Sequence, residues 1–230
     1  MTRSHRALAT ATGLLALTLA PLAVSAPQAD APTMTGKGFT VTASRFRALP
    51  AGKAKGAGTE VQAIGNVKLV SDRGTATAPR VDFLLAAGQR LDRATAAGPV
   101  HFVAKLAAKK GSPNPEPTAT FSGQTFTYTR AKDQSVLSGG VQVEARLGDG
   151  STLTGSSDQA VLNHATGEAR FQGHASVTKF DATTKAAVFT LRNLESLTVN
   201  LKDGTIEGLP PSGSQVEANV TTPQKPKSKG

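Results

Sequence analysis

Apolar and polar residues alternate in short runs through most of this chain, and from Thr35 to the prolines at 210–211 no segment sustains apolar residues at the i, i+3, i+4, i+7 spacing of an amphipathic helix. Phe39-Thr40-Val41, Val67-Lys68-Leu69, Val100-His101-Phe102, Phe126-Thr127-Tyr128, Val141-Gln142-Val143 and Leu197 to Leu201 all follow this rule. Successive strand side chains point to opposite faces, so each run predicts a strand with one apolar and one polar face. The pattern predicts an all-β protein.

These strands recur in a larger unit marked by a glycine just before an extended run. Gly65 precedes Val67, Gly98 precedes Val100, Gly139 precedes Val141 and Gly173 precedes Ala175, at intervals of 33, 41 and 34 residues. The longer interval contains the proline-bearing polar insertion Lys109 to Pro117, which leaves an underlying period of about 34. Within one unit an alternating strand (Thr125 to Thr129), a turn (Arg130 to Gln134) and a return strand (Ser135 to Ser138) lead to the glycine. Gln159 to Leu162, Asn163 to Gly167 and Glu168 to Gln172 repeat the order before Gly173. A last copy, with the turn Lys202-Asp203-Gly204 and a return strand ending at Gly208, stops at Pro210-Pro211 as a capping repeat does. Each unit reads as a hairpin plus a crossing strand that cannot bury its apolar face alone, so the units must stack. A glycine at each junction permits a bend.

The ends of the chain have a different character. Arg3, His5 and Arg6 precede an apolar run from Ala7 to Ala20 and small residues up to Ala26, the order expected of an export signal over 1–26. That run is short for a membrane span, and no later segment is a candidate, so no stable transmembrane span is expected after processing. Residues 27–34 form a Pro/Ala leader expected to be flexible, 35–220 a single domain, and 221–230 a disordered Lys-rich tail. No cysteine is present, so an aliphatic core rather than disulfides must stabilise an exported chain. The formal charge of +10, or +8 once Arg3 and Arg6 leave with the signal, favours anionic partners. In an exported protein these are phosphorylated lipid, envelope polymer or membrane surface, and nucleic acid is excluded by compartment.

Catalytic and metal chemistry finds little support. His101, His164 and His174 lack metal-ligand spacing and read as exposed strand or turn residues. Asp72, Asp133, Asp149, Asp181 and Asp203 stand at turn positions where their carboxylates can cap local backbone. No Gly-x-Ser-x-Gly elbow occurs, and the glycines precede strands rather than helices, so neither a hydrolase nor a phosphate loop is indicated. No enzyme activity and no cofactor are expected.

At Ala63-Ile64-Gly65-Asn66-Val67, Leu137-Ser138-Gly139-Gly140-Val141 and Phe171-Gln172-Gly173-His174-Ala175 the chain resembles the LptA/OstA family of lipopolysaccharide transport, over roughly residues 61–180. The resemblance implies a twisted antiparallel β-jellyroll, open along one side, whose apolar interior receives acyl chains. It implies periplasmic residence, lipopolysaccharide or a similar acylated glycolipid as ligand, and edge-to-edge strand pairing with LptA-, LptC- or LptD-like jellyroll proteins in a bridge between inner and outer membranes. Prolines at Pro99, Pro113, Pro115 and Pro117 and the basic tail depart from the family pattern. They leave open a bridge, an LptC-like accessory subunit or a paralogue with another amphiphilic ligand.

The candidate lining of such a groove is the apolar stripe Phe83, Leu85, Phe102, Phe126, Tyr128, Val141, Val143, Leu162, Phe171 and Val177, whose side chains serve equally as packing for a sealed core. Basic stretches at Arg45 to Lys55 and Lys105 to Lys110 are candidates for lipid phosphate contacts or, more simply, solvated residues that discourage sheet aggregation. The competing class is a structural β-repeat scaffold of the envelope. Parallel coils with a filled interior would mark the scaffold; antiparallel turns with an open trough would mark the carrier.

Overall fold

The computed structural model describes residues 31–49, 58–106, 116–210 and 218–220. The expected signal, residues 27–30 of the leader, most of the 109–117 insertion and the Lys-rich tail lie outside them, as do residues 50–55 of the first basic stretch and 107–110 of the second. In chain order the strands are β1 (Thr33–Gly36), β2 (Phe39–Thr42), β3 (Arg45–Leu49), β4 (Thr59–Ser71), β5 (Gly74–Ala86), β6 (Arg90–Lys105) and β7 (Thr118–Thr129). They continue with β8 (Gln134–Arg146), β9 (Thr152–Asn163), β10 (Glu168–Phe180), β11 (Ala187–Asn200), β12 (Ile206–Leu209) and β13 (Ala218–Val220). One 3-10 turn, Arg130–Lys132, is the sole helical element among the described residues. The first strand begins two residues ahead of the expected domain boundary at Thr35.

From β4 to β11 each strand pairs antiparallel with the next, and all thirteen belong to one unclosed sheet. The β2 and β3 strands pair with opposite halves of β4, while β12 and β13 pair with opposite halves of β11. The alternating runs are strands, as their spacing predicts. The expected boundary at each glycine is corrected, because the return strand and the crossing strand are one continuous element. Thus Ser135 to Ser138 and Val141 to Val143 are the two halves of β8. The long strands form antiparallel pairs that are bent in the middle.

The bend has a definite construction. Between the pairs Ser138↔Gln159 and Val141↔Ser157, β8 advances three residues where β9 advances two. On its other flank β8 advances four residues, from Ser138 to Gln142, where β7 advances three, from Ser122 to Thr125. The same excess of one recurs where β4, β6 and β10 pass their neighbours. Aligned bulges of this kind bend every strand at one level and fold the sheet across its own strands. Gly139 (φ +85°) and Gly140 (φ +67°) supply the left-handed backbone that the bulge on β8 requires. A Cβ on Gly139 would also stand 2.7 Å from Cβ of Gln124.

Folding produces two layers. Layer I contains the halves typified by 134–138 of β8, together with β3 and β12; layer II contains the halves typified by 141–146, together with β1, β2 and β13. On β6, Ala96 pairs with Phe126, and Phe102 lies six residues further on, roughly 20 Å away along a straight strand. The Phe102 and Phe126 rings are nevertheless 5.1 Å apart, and Phe121 of layer II stacks 6.4 Å from Phe171 of layer I. A single apolar core, mostly Ala, Val, Leu and Phe, fills the space between the layers.

Opposite the bend, turns of the two layers meet along a rim. Arg73, in the β4–β5 turn, reaches Asp133 in the β7–β8 turn at 3.0 Å. Gly148 N–H donates to the Leu201 carbonyl at 2.9 Å, and Lys179 Nζ donates to Asp149 (2.8 Å) and to the Gly204 carbonyl (3.1 Å). Partial burial acts to raise the Asp149 pKa, but hydrogen bonds from Lys179 and Ser151 outweigh it and hold the carboxyl below its ordinary value. The ladder is open, yet these contacts latch the rim.

Candidate functional site

The apolar stripe expected to line a groove converges on the interior, as strand alternation requires. Phe83, Leu85, Phe102, Phe126, Val141, Val143, Leu162, Phe171 and Val177 are all buried in the one core, with Phe171, Val141 and Leu162 fully enclosed. Tyr128 is half-buried against that core. With the rim latched, most of these side chains touch one another rather than solvent-accessible space. Leu85 and Tyr128 each border a cavity at the rim, while Phe83 borders a third cavity and Val143 and Val177 a fourth.

The first of these cavities, about 400 Å³, lies where β1 faces the start of β4 and the β5–β6 turn. Met34, Phe39, Val61 and Leu85 form its apolar wall. Phe39 and Leu85 belong to the buried core, and Met34 and Val61 pack against it, so the recess is an opening onto the interior. Gly36, Gly58 and Gly88 also line it.

A second cavity of about 350 Å³ shares the Phe39 wall. Four of its other lining residues are cationic: Lys37 follows β1, Arg73 occupies the β4–β5 turn, Arg90 opens β6 and Arg130 begins the 3-10 turn before β8. Arg73 and Arg90 flank the two ends of β5, which would lie roughly 40 Å apart in a straight strand of that length. The bend near Pro79 brings both ends to one rim. An isolated parallel bridge pairs Lys37 with Arg90, supported by a 3.1 Å hydrogen bond from the Lys37 N–H to the Gln89 carbonyl.

Acidic groups answer only part of this charge. Asp133 holds Arg73 at 3.0 Å, and Asp72 is 4.0 Å from it. Among the described residues no carboxylate stands within ion-pair distance of Lys37, Arg90 or Arg130. Tyr128 closes the cavity floor; burial, with the Asp133 charge, raises its phenol pKa against the opposing pull of Arg73, so the hydroxyl stays protonated. Behind Tyr128 lies His164, its ring centroid 6.0 Å away.

His164 corrects the expectation that all three histidines are exposed. His101 and His174 are exposed, the latter 2.9 Å from Asp158, but His164 is 6% exposed and meets the edges of Phe102 and Tyr128. Its Nε2 lies 2.8 Å from Ser135 Oγ, while Nδ1 has no protein partner. A Ser–His pair invites comparison with a nucleophile and its base, yet Ser135 is 1% exposed and no third group orients the ring through Nδ1. Burial pushes the imidazole pKa down to about 4, which keeps it neutral at physiological pH.

The cationic cavity draws on none of the basic stretches conspicuous in the sequence. Arg45 and Arg47 lie exposed on the edge strand β3, and Lys105 ends β6. Of the turn aspartates, Asp149 Oδ1 accepts from the Ser151 N–H, Asp181 Oδ1 from the Thr183 and Thr184 N–H groups and Asp203 Oδ1 from that of Thr205, whereas Asp72 and Asp133 face Arg73. No group of three or more His, Cys, Asp or Glu that could hold a metal occurs among the described residues. Nor is any helix there long and apolar enough to cross a membrane.

No family model matches this chain, and no curated protein matches its sequence. Among solved structures it is similar to the crystal structure of LptH, described as the LptA-homologous periplasmic component of the conserved lipopolysaccharide transport device from Pseudomonas aeruginosa. The two share 12% sequence identity over 80% of this chain and 95% of that one, with a TM-score of 0.41.

Proposed function

We propose that this chain is a periplasmic, non-enzymatic carrier that shields the hydrocarbon of an acylated glycolipid of the lipopolysaccharide type at its rim. The observation that supports the reading is the recess walled by Met34, Phe39, Val61 and Leu85, an apolar opening backed by a continuous core. Each methylene moved from water into such a recess contributes about 0.8 kcal/mol. A chain longer than the recess advances by separating the layers, and the stripe from Phe83 to Val177 then becomes its lining. On this reading the free edges β3 and β12 pair with LptA-, LptC- or LptD-like jellyrolls, and successive grooves carry the lipid between membranes. Whether the chain acts as bridge or accessory subunit turns on those partners. Antiparallel pairing throughout the long strands speaks against a scaffold of parallel coils.

The chain has no tryptophan, so one placed in the recess reports on that site alone. Met34→Trp is expected to shift its emission to the blue on addition of lipopolysaccharide and to stay unchanged with the deacylated sugar. A reporter at Val103, 40% exposed on the outer face, is expected to respond to neither. An equal response of Met34→Trp to lipid and to deacylated sugar, or silence with both, removes the carrier reading.

A further inference from the structure

We propose that the rim cavity between Lys37, Arg73, Arg90 and Arg130 binds a phosphate group, the charged end of an amphiphile whose chain enters the neighbouring apolar recess; this rests on the carrier reading and names the chemistry of its ligand. Three features of the cavity support it. First, four cationic side chains and two carboxylates line one space, and three of the cations have no carboxylate partner among the described residues. Like charges gathered in this way repel, and an anion between them turns repulsion into attraction.

Second, the donors suit a tetrahedral oxyanion. Arg90 and Arg130 each offer a planar fork of N–H groups, Lys37 adds a mobile ammonium, and the protonated Tyr128 hydroxyl is a further donor. Arg73 is already oriented by Asp133, which fixes one guanidinium while the others adapt. The four cations come from four separate turns or strand starts, so their meeting follows from the folded sheet rather than from a run of basic sequence. Third, Phe39 is common to both cavities, so a phosphate in one lies beside a hydrocarbon in the other. Dodecyl phosphate spans the two; inorganic phosphate occupies only the cationic one.

The full-length protein, its Arg90→Ala/Arg130→Ala variant and an Arg170→Ala control are titrated calorimetrically at physiological salt with dodecyl phosphate, dodecyl maltoside and inorganic phosphate. All three substituted positions are exposed, and coincident melting curves establish that folding is intact. The double variant is expected to bind dodecyl phosphate at least tenfold more weakly, to bind dodecyl maltoside as the parent does, and to lose any affinity for inorganic phosphate. The Arg170→Ala control is expected to change each by less than twofold. Parent affinity for dodecyl phosphate well above that for inorganic phosphate identifies a lipid headgroup as the source. Equal affinity, lost in the double variant, with no binding of dodecyl maltoside, leaves the phosphate site standing and removes the carrier. The proposal is overturned if the parent binds neither phosphate, if the double variant binds both as the parent does, or if Arg170→Ala weakens them equally.

Discussion

A buried imidazole makes stability depend on the acidity of the medium. The unfolded chain protonates His164 near the ordinary 6.5, whereas the folded protein resists until about 4. Between these values the unfolded state binds more protons, so the contribution of the neutral ring is complete above pH 6.5 and is lost as pH falls towards 4. The whole effect is about 3 kcal/mol. Burial drives it; Asp133 opposes it, Arg73 reinforces it and Asp72 opposes it more weakly. Urea unfolding at pH 7, 5.5 and 4 is expected to show a steeper loss in the parent than in His164→Gln, and parallel slopes would refute the assignment. Neighbouring glycines supply a second residue-scale contrast. Gly139→Ala meets both an unfavourable φ and Cβ of Gln124, and is expected to cost roughly 3 kcal/mol. Gly140→Ala meets the φ alone, with nothing within 4 Å, and is expected to cost about 1–2 kcal/mol. Denaturant midpoints distinguish the two, and equal losses would mean that contact with Gln124 is immaterial.

A strand bent by one extra residue depends on the parity of its side chains. On β8, Leu137 and Val141 both face inward across the bend, as do Phe121 and Phe126 across the bend of β7, although the first pair is four positions apart and the second five. Removing Gly140 would give Leu137 and Val141 the odd spacing already present between Phe121 and Phe126, so both would still face inward and β8 would lose only its bulge. That deletion is expected to leave unfolding cooperative, and an added glycine after Thr183, in the exposed β10–β11 turn, is expected to cost about 1 kcal/mol or less. Circular dichroism melts check both, and loss of the cooperative transition in the deletion would contradict the register argument. The strands were legible because alternation is a local signal. The continuity of each strand through its glycine was not, since a residue that can end a strand can equally bulge it. Telling the two apart requires the partner strand, where Gln124, Asp158 and Pro79 stand opposite Gly139, Gly173 and Gly98.

At the scale of the molecule, the bend decides what the turns can do. Lys37, Arg73, Arg90 and Arg130 are separated in sequence by other strands, and no motif links them; only when the ends of β5 come to the same rim do they share a cavity. Sequence directs notice instead to the dense runs near Arg45 and Lys105, because clustering along the chain is visible and clustering across a folded sheet is not. The same geometry makes cohesion of the layers a measurable quantity. Phe121 and Phe171 come from opposite layers, are completely buried, and stack at 6.4 Å with an interplanar angle of 25°. Each changed singly to Leu is expected to cost about 1–2 kcal/mol through lost volume and contact. Because the rings touch, removing the second should cost less once the first is gone, with a coupling of about 1 kcal/mol in a double-mutant cycle. Phe83 and Phe171, which share no ring contact, serve as the uncoupled comparison. Additivity of Phe121→Leu and Phe171→Leu to within about 0.3 kcal/mol would show that the layers do not bear on each other there. Coupling that disappears when lipid is added would locate the separation of layers through which an acyl chain passes.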